Sequence, residues 1–325
     1  MEGINIYSDD TFAENKNFII STFLWGDPGA CISYESIISE IVKKLIKENI
    51  LQDNFRGFHA SELNARNWNR KSKPFKEVLR KLHHYVNIKQ LKALIYLESR
   101  KKFEANSELM ENVLKRTLLD RNSLLGSVYQ HIPEEDLVGI YKNAKEIYHY
   151  LLHRGKFGRE NTGFKYYPDA CGRALDFKDK EYFLEIPRTG QVRVGYKEMI
   201  RYLINALANS INKPDILKEL DWESRPKNQE LKEFEPKKDE DSFMIQTTDI
   251  ISNFFFNTIK YLVGDQSRST ELKANELLGF FQDIKNKIKD DFEIQNDKCV
   301  CVNDDLKVSI DFNSDYKNDM KILLP

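Results

Sequence analysis

Blocks of continuous apolar residues exchange along this chain with blocks that repeat at helical spacing, which predicts strands and helices in mixed order. Ile4-Asn5-Ile6-Tyr7 predicts a short strand running into an acidic turn at Ser8-Asp9-Asp10-Thr11. Residues 17–25 (NFIISTFLW), rich in β-branched and aromatic side chains, predict a second strand, which Gly26-Asp27-Pro28-Gly29 breaks. Ser33 or Ser36 is placed to cap an amphipathic helix through Ile50, with Ile37, Ile38, Ile41, Leu45 and Ile46 on one face. An extended piece over 55–59 precedes a basic, helical region up to His84, and 90–97 (QLKALIYL) predicts a buried strand.

Helices are expected over 107–127 and 133–153, the latter with proline in its first turn. Short extended pieces at 163–167 and 191–194 come before a helix over 196–208, whose stripe is Ile200, Leu203, Ile204 and Leu207. Residues 221–241 are the most polar stretch, a loop with a strand around 231–234. Helices follow over 243–263 and 271–292, and the tail, with Val300, Val302, Val308 and Ile310, reads as a hairpin. The helix over 271–292 carries Leu277, Leu278, Phe280 and Phe281, a face for the core or for a dimer contact. Strands alternating with helices argue for an α/β class, with α+β as the alternative. Residues 1–263 form the expected domain and 264–325 an appendage.

The chain's 325 residues are enough to bury a large core, and 41% hydrophobic with 31% charged residues excludes a disordered or collagenous chain. No apolar run reaches the length of a membrane span, and the first ten residues, MEGINIYSDD, lack the basic-then-apolar pattern of a secretory leader. A cytoplasmic protein is expected. Fifty basic and 51 acidic residues exclude a wholly basic, histone-like binder but permit a local basic groove. Four cysteines in a chain this long make no disulfide framework.

The sharpest chemical feature is where acids fall. Asp9 follows the first strand, Glu62 follows Phe58-His59-Ala60, Asp169 follows residues 163–168, and Asp249 sits inside the apolar helix FMIQTTDIISNFFF. An acid in such a helix is costly to bury unless paired or bound to a metal. Carboxylates converging from separate elements are what a hard ion such as Mg²⁺ requires for phosphoryl chemistry. Plainer readings stand beside these: Asp9, Asp10 and Asp169 suit turns, and Glu62 suits the first turn of a helix.

Three of these segments carry a resemblance. Ile6-Tyr7-Ser8-Asp9-Asp10-Thr11, Phe58-His59-Ala60-Ser61-Glu62-Leu63 and Ile245-Gln246-Thr247-Thr248-Asp249-Ile250-Ile251 resemble, in order, the motifs of the domain-of-unknown-function family numbered 3800. Asp10, Thr11, Phe12 and Thr248 depart from that family's usual residues. The resemblance spans roughly 3–263 and implies a ribonuclease H-like mixed sheet flanked by helices. It further implies an acidic centre in which Asp9, Glu62, Asp169 and Asp249 hold Mg²⁺ or Mn²⁺, with Asp176 the competitor for the third place.

Beyond Glu62, Arg66, Arg70, Lys71, Lys73, Lys76, Arg80 and Lys81 surround Trp68. Such a cluster follows a phosphate backbone while an indole stacks on a base, or it is simply a solvated helix face. Lys156, Arg159 and Lys165 are a second basic candidate. His59 is close enough to Glu62 to orient it, position a phosphate or transfer a proton. Neither His83-His84 nor Cys299-x-Cys301 has a second ligand pair, so a zinc site is not expected. Phosphate-loop, dinucleotide-binding and nucleophile-elbow signatures are absent. The expectation is a metal-dependent nuclease acting on nucleic acid. The alternatives are a catalytically silent module that binds nucleic acid or a protein partner, and a nuclease of a defence or toxin system awaiting its trigger.

Overall fold

A computed structural model describes residues 3–12, 17–120, 124–133, 135–138, 147, 156–158, 162–169, 180–210, 229–278, 288, 290–296 and 298–311. Two compact units divide the chain. One comprises residues 1–6 and 104–237, the other 7–103 and 238–325. The fold is mixed α/β, with antiparallel and parallel strand pairs and helices packed on them.

The second unit is built on β1 (Gly3–Phe12) from Tyr7 onward, β2 (Phe18–Gly26), β3 (Leu91–Ser99) and β10 (Lys307–Asp311), in the order β10-β3-β2-β1. β2 is buried at every position, as its unbroken apolar run requires of a strand covered on both faces. It pairs antiparallel with β3 from Phe18↔Ser99 to Gly26↔Leu91. A Cβ at Gly26 would lie 2.5 Å from the Gln90 carbonyl oxygen, so only glycine lets the strands close there. β1 continues to Phe12, so Asp9 and Asp10 lie within a strand and not in the expected turn.

Helix α1 (Pro28–Lys47) starts earlier than Ser33. Asp27 caps it by accepting from the Ala30 amide at 2.9 Å, and Pro28 fits the first turn, where no amide donor is needed. Its buried stripe is Tyr34, Ile38, Val42 and Leu45. Helix α2 (Trp68–Asn87) buries Phe75, Val78, Leu79 and Leu82. The first residues of α3 (Arg100–Leu119) come after Ser99 in this unit; from Glu104 the helix belongs to the first.

The first unit also holds α4 (Leu124–Val128), β4 (Gly163–Pro168), the hairpin β5 (Glu181–Ile186) and β6 (Gly190–Gly195), α5 (Tyr196–Ser210) and β7 (Glu230–Phe234). β4 and β7 run parallel. Asn205 of α5 accepts from the Leu231 amide at 2.8 Å and donates to its carbonyl at 2.7 Å, so one side chain satisfies both backbone groups of a strand residue. Residues 139–146, 148–155, 170–179 and 211–228 lie outside the described set. Most of the helix expected over 133–153 lies outside it too, as do Arg159 and Asp176.

The second unit is completed by α6 (Phe243–Leu262), α7 (Arg268–Leu277) and the hairpin β8 (Phe292–Gln295) and β9 (Lys298–Cys301). Of the segment expected as an appendage, the described elements α7 and β8–β10 belong to this unit. β10 pairs antiparallel with β3, placing Val308 opposite Leu97 and Ile310 opposite Ile95. Asn17 donates to the Cys301 carbonyl at 2.8 Å, and Phe18 meets Phe292 edge-on at 4.9 Å. Cys31, Cys299 and Cys301 are free, buried thiols.

Candidate acidic centre

Helix α6 has a long apolar face, on which Ile245, Ile250, Ile251, Phe254, Phe255 and Ile259 are fully buried. Its deeper polar groups, Thr247, Thr248 and Thr258, return their hydroxyls to carbonyls of the preceding turn. Thr247 also meets Tyr34 of α1 at 3.1 Å, and Ser252 meets Thr22 of β2 at 2.6 Å. Glu35 of α1 takes over the N-terminal cap, accepting from the Ser242 hydroxyl at 2.6 Å and the Met244 amide at 3.3 Å. These bonds fix the rotation of α6 about its axis. What remains is a polar stripe at helical spacing: Gln246, Asp249 and Asn253.

Each residue of that stripe holds another segment. Gln246 accepts from the Phe58 amide at 3.1 Å and donates to the Asp239 carbonyl at 2.6 Å. Asp249 accepts from the Ala60 amide at 3.4 Å. Asn253 accepts from the Lys273 ammonium at 2.8 Å, and the same ammonium donates to the Ala60 carbonyl at 2.9 Å. The His59–Glu62 turn, the Asp239 turn and α7 are thus gathered around one face of α6.

Removal from water dominates the electrostatics of this cluster. Burial pushes the Asp249 carboxyl up to about 6; the Ala60 amide, His59 and Lys273 act against that, while the negative charge of Asp239 adds to it. Burial also raises Asp239, with His59 opposing. Lys273 is pushed down to about 8 by burial, against the pull of Asp249. Asp249 nevertheless keeps an opening to solvent, and His59 is exposed beside both acids. Two like charges and a histidine in one partly enclosed place are the usual makings of a reactive or ion-binding site.

Of the residues singled out in the sequence, Asp249 and His59 come together here, joined by Asp239. Glu62 is on the adjoining turn Ala60–Glu62 but faces solvent, 3.9 Å from Lys71. Asp9 is half-buried within β1. Asp169 lies in the first unit, where it forms a parallel bridge with Lys237. Among the described residues, no group of three or more His, Cys, Asp or Glu side chains is arranged to hold a metal. Mg²⁺ commonly takes one or two carboxylates and completes its shell with water and substrate phosphate, and Asp249 and Asp239 are the two acids of this cluster.

Within the basic segment, Trp68 is the residue that departs from its expected role. Trp68 is 5% exposed and packs on Phe254 at 6.3 Å, with the Lys76 ammonium 5.4 Å over its ring, so the indole is core and unable to stack on a base. Lys73 pairs with Glu48 at 2.9 Å, Lys76 with Glu276 at 2.6 Å and Arg80 with Glu77 at 2.6 Å. Arg66 and Arg70 are exposed and carry no carboxylate partner among the described residues. Lys165 is paired with Glu233 at 2.7 Å.

Two members of the cluster escaped the sequence reading. Asp239 sits in Lys237-Lys238-Asp239-Glu240-Asp241, where nothing separates one charge from its neighbours. Lys273 does leave a signal: Thr270, Lys273, Ala274 and Leu277 have the spacing of one buried helix face.

The chain matches no protein-family model, no curated protein and no solved structure. None of the described helices is long and apolar enough to cross a membrane.

Proposed function

We propose that this protein is a metal-dependent nuclease that hydrolyses phosphodiester bonds at the centre formed around Asp249. The observation that carries the reading is a carboxylate on a largely buried helix, raised by burial, open to solvent, and accompanied by a second acid and an exposed histidine. The three ordered motifs and their resemblance to a ribonuclease H-like family add support, and the mixed α/β fold is of the broad class that the resemblance implies.

Asp249 and Asp239 are the residues that would hold Mg²⁺ or Mn²⁺, with Glu62 and Asp9 as the further acids the resemblance supplies. When bound, the ion would polarise the phosphoryl group and make water a competent nucleophile at neutral pH. The chain's own groups do the rest. Gln246 and the Ala60 amide fix the His59–Glu62 turn against α6, so the acid and the imidazole keep one spacing. His59 is placed to orient a phosphate oxygen or hand a proton to the leaving oxygen. Arg66 and Arg70, free of ion pairs among the described residues, are suited to backbone phosphates.

Labelled single- and double-stranded RNA, DNA and hybrid, each incubated with Mg²⁺, Mn²⁺ or chelator, test the proposal. Cleavage in at least one substrate with metal and none with chelator is expected. Cleavage that persists in chelator, or no cleavage of any substrate, would contradict it.

A further inference from the structure

A lysine is seldom buried, because an ammonium taken out of water needs acceptors or an anion around it. Lys273 is 4% exposed, yet it lies on the inward face of α7 with Thr270, Ala274 and Leu277. Two of its three N–H donors are accounted for, one by the Ala60 carbonyl at 2.9 Å and one by Asn253 at 2.8 Å. Asn253 is one helical turn beyond Asp249 on α6. Ala60 is the residue whose amide donates to Asp249. A single peptide segment therefore has its N–H on the carboxylate and its C=O on the ammonium.

We infer that Lys273 is a built-in positive charge of the acidic centre, standing where a second divalent ion would otherwise be needed, so that the centre takes a single Mg²⁺ or Mn²⁺. This rests on the metal-dependent reading above. A second hard ion would seek oxygen ligands, and the Ala60 carbonyl and the Asn253 amide oxygen are already engaged by the ammonium. Charge balance agrees. Asp239 and Asp249 less Lys273 leave one negative charge, which one divalent ion and one phosphodiester bring to neutrality. In this arrangement Lys273 is a positioning residue, holding the Ala60 turn and offsetting Asp249 without touching substrate.

Mn²⁺ titrated into the full chain, followed by electron paramagnetic resonance and calorimetry, tests this. One ion per wild-type chain is expected; two ions, both lost in Asp249→Asn, overturn the inference and leave the metal-dependent reading intact. No bound Mn²⁺ in the wild type removes that reading itself, and the inference with it. In Lys273→Met, loss of a like charge beside the ion should tighten Mn²⁺ binding about tenfold, and Lys273→Arg should reverse the gain. A purely structural lysine leaves the affinity unchanged, which overturns the inference. Should Lys273→Met lose its cooperative thermal melt, Lys273→Gln keeps a donor for the Ala60 carbonyl without the charge and gives the same readout.

Discussion

The protein concentrates charge in two neighbouring places, the polar stripe of α6 with its partners Asp239 and Lys273, and the outer face of α2. The α2 face has the larger number of charges, and its Lys73, Lys76 and Arg80 ion pairs are open to water, where such pairs contribute little. The α6 stripe has few, of which Asp249 and Lys273 are held by named hydrogen bonds and perturbed by burial. What distinguishes the α6 stripe from a solvated surface is the cost of the charge rather than the number of charges.

Trp68 offers the largest way to sharpen that contrast. It belongs by sequence to the basic face and by packing to the core, so Trp68→Ala should lower stability by about 3–5 kcal/mol, as read by chemical denaturation. A stacking platform for bases would instead lose nucleic-acid affinity with little change in stability.

A double-mutant cycle separates the two places next. Asp249 and Lys273 should couple by about 1–3 kcal/mol, because each charge offsets the burial cost of the other. The exposed pair Glu62 and Lys71, 3.9 Å apart, should couple by less than about 1 kcal/mol. Equal coupling in both pairs would erase the distinction.

The pH dependence of stability has a definite sign. Asp249 is raised from 3.8 to about 6, so the folded state holds its proton more tightly, and this group's contribution falls as pH rises between those values. Lys273 is lowered from 10.5 to about 8, so its contribution rises with pH across that interval. Asp249→Asn, which keeps an acceptor for the Ala60 amide, should flatten the acid limb and raise stability at pH 7 by roughly 2 kcal/mol. Thermal melts from about pH 4 to about pH 10 span both titrations and check both limbs. A steeper fall in the variant would contradict the assignment.

The smallest effects belong to Arg66 and Arg70. Replacing either by alanine should leave the melting temperature unchanged and weaken nucleic-acid binding uniformly across sequences. The slope of affinity against salt should drop by about one for each arginine that neutralises a phosphate.

These contrasts also show which parts of the molecule the sequence could disclose. Asp249 was legible because an acid among Ile245, Ile250, Ile251 and Phe254 has a visible cost wherever the helix packs. The strands β2 and β3 were legible for the related reason that a continuous apolar run has few other uses. Trp68 misled because an indole between arginines and lysines has the same composition whether it points out or in; only the helical phase of α2 against Phe254 decides. Asp239 was invisible because its value comes from Gln246, which reaches its carbonyl from the next helix. The tail misled for a similar reason. Val308 and Ile310 alternate as a hairpin strand would, but their partner is β3, far earlier in the chain, and local pattern carries no address for it.

Cleavage by Asp249→Asn beside the wild type, with Mg²⁺ or Mn²⁺ and with both proteins shown to be folded by their melts, addresses the central claim most directly. The variant is expected to melt at or above the wild-type temperature and to lose at least about a hundredfold in rate, a transition-state cost near 3 kcal/mol. Wild-type cleavage that Asp249→Asn retains undiminished would place the chemistry elsewhere and reduce the centre to a structural cluster.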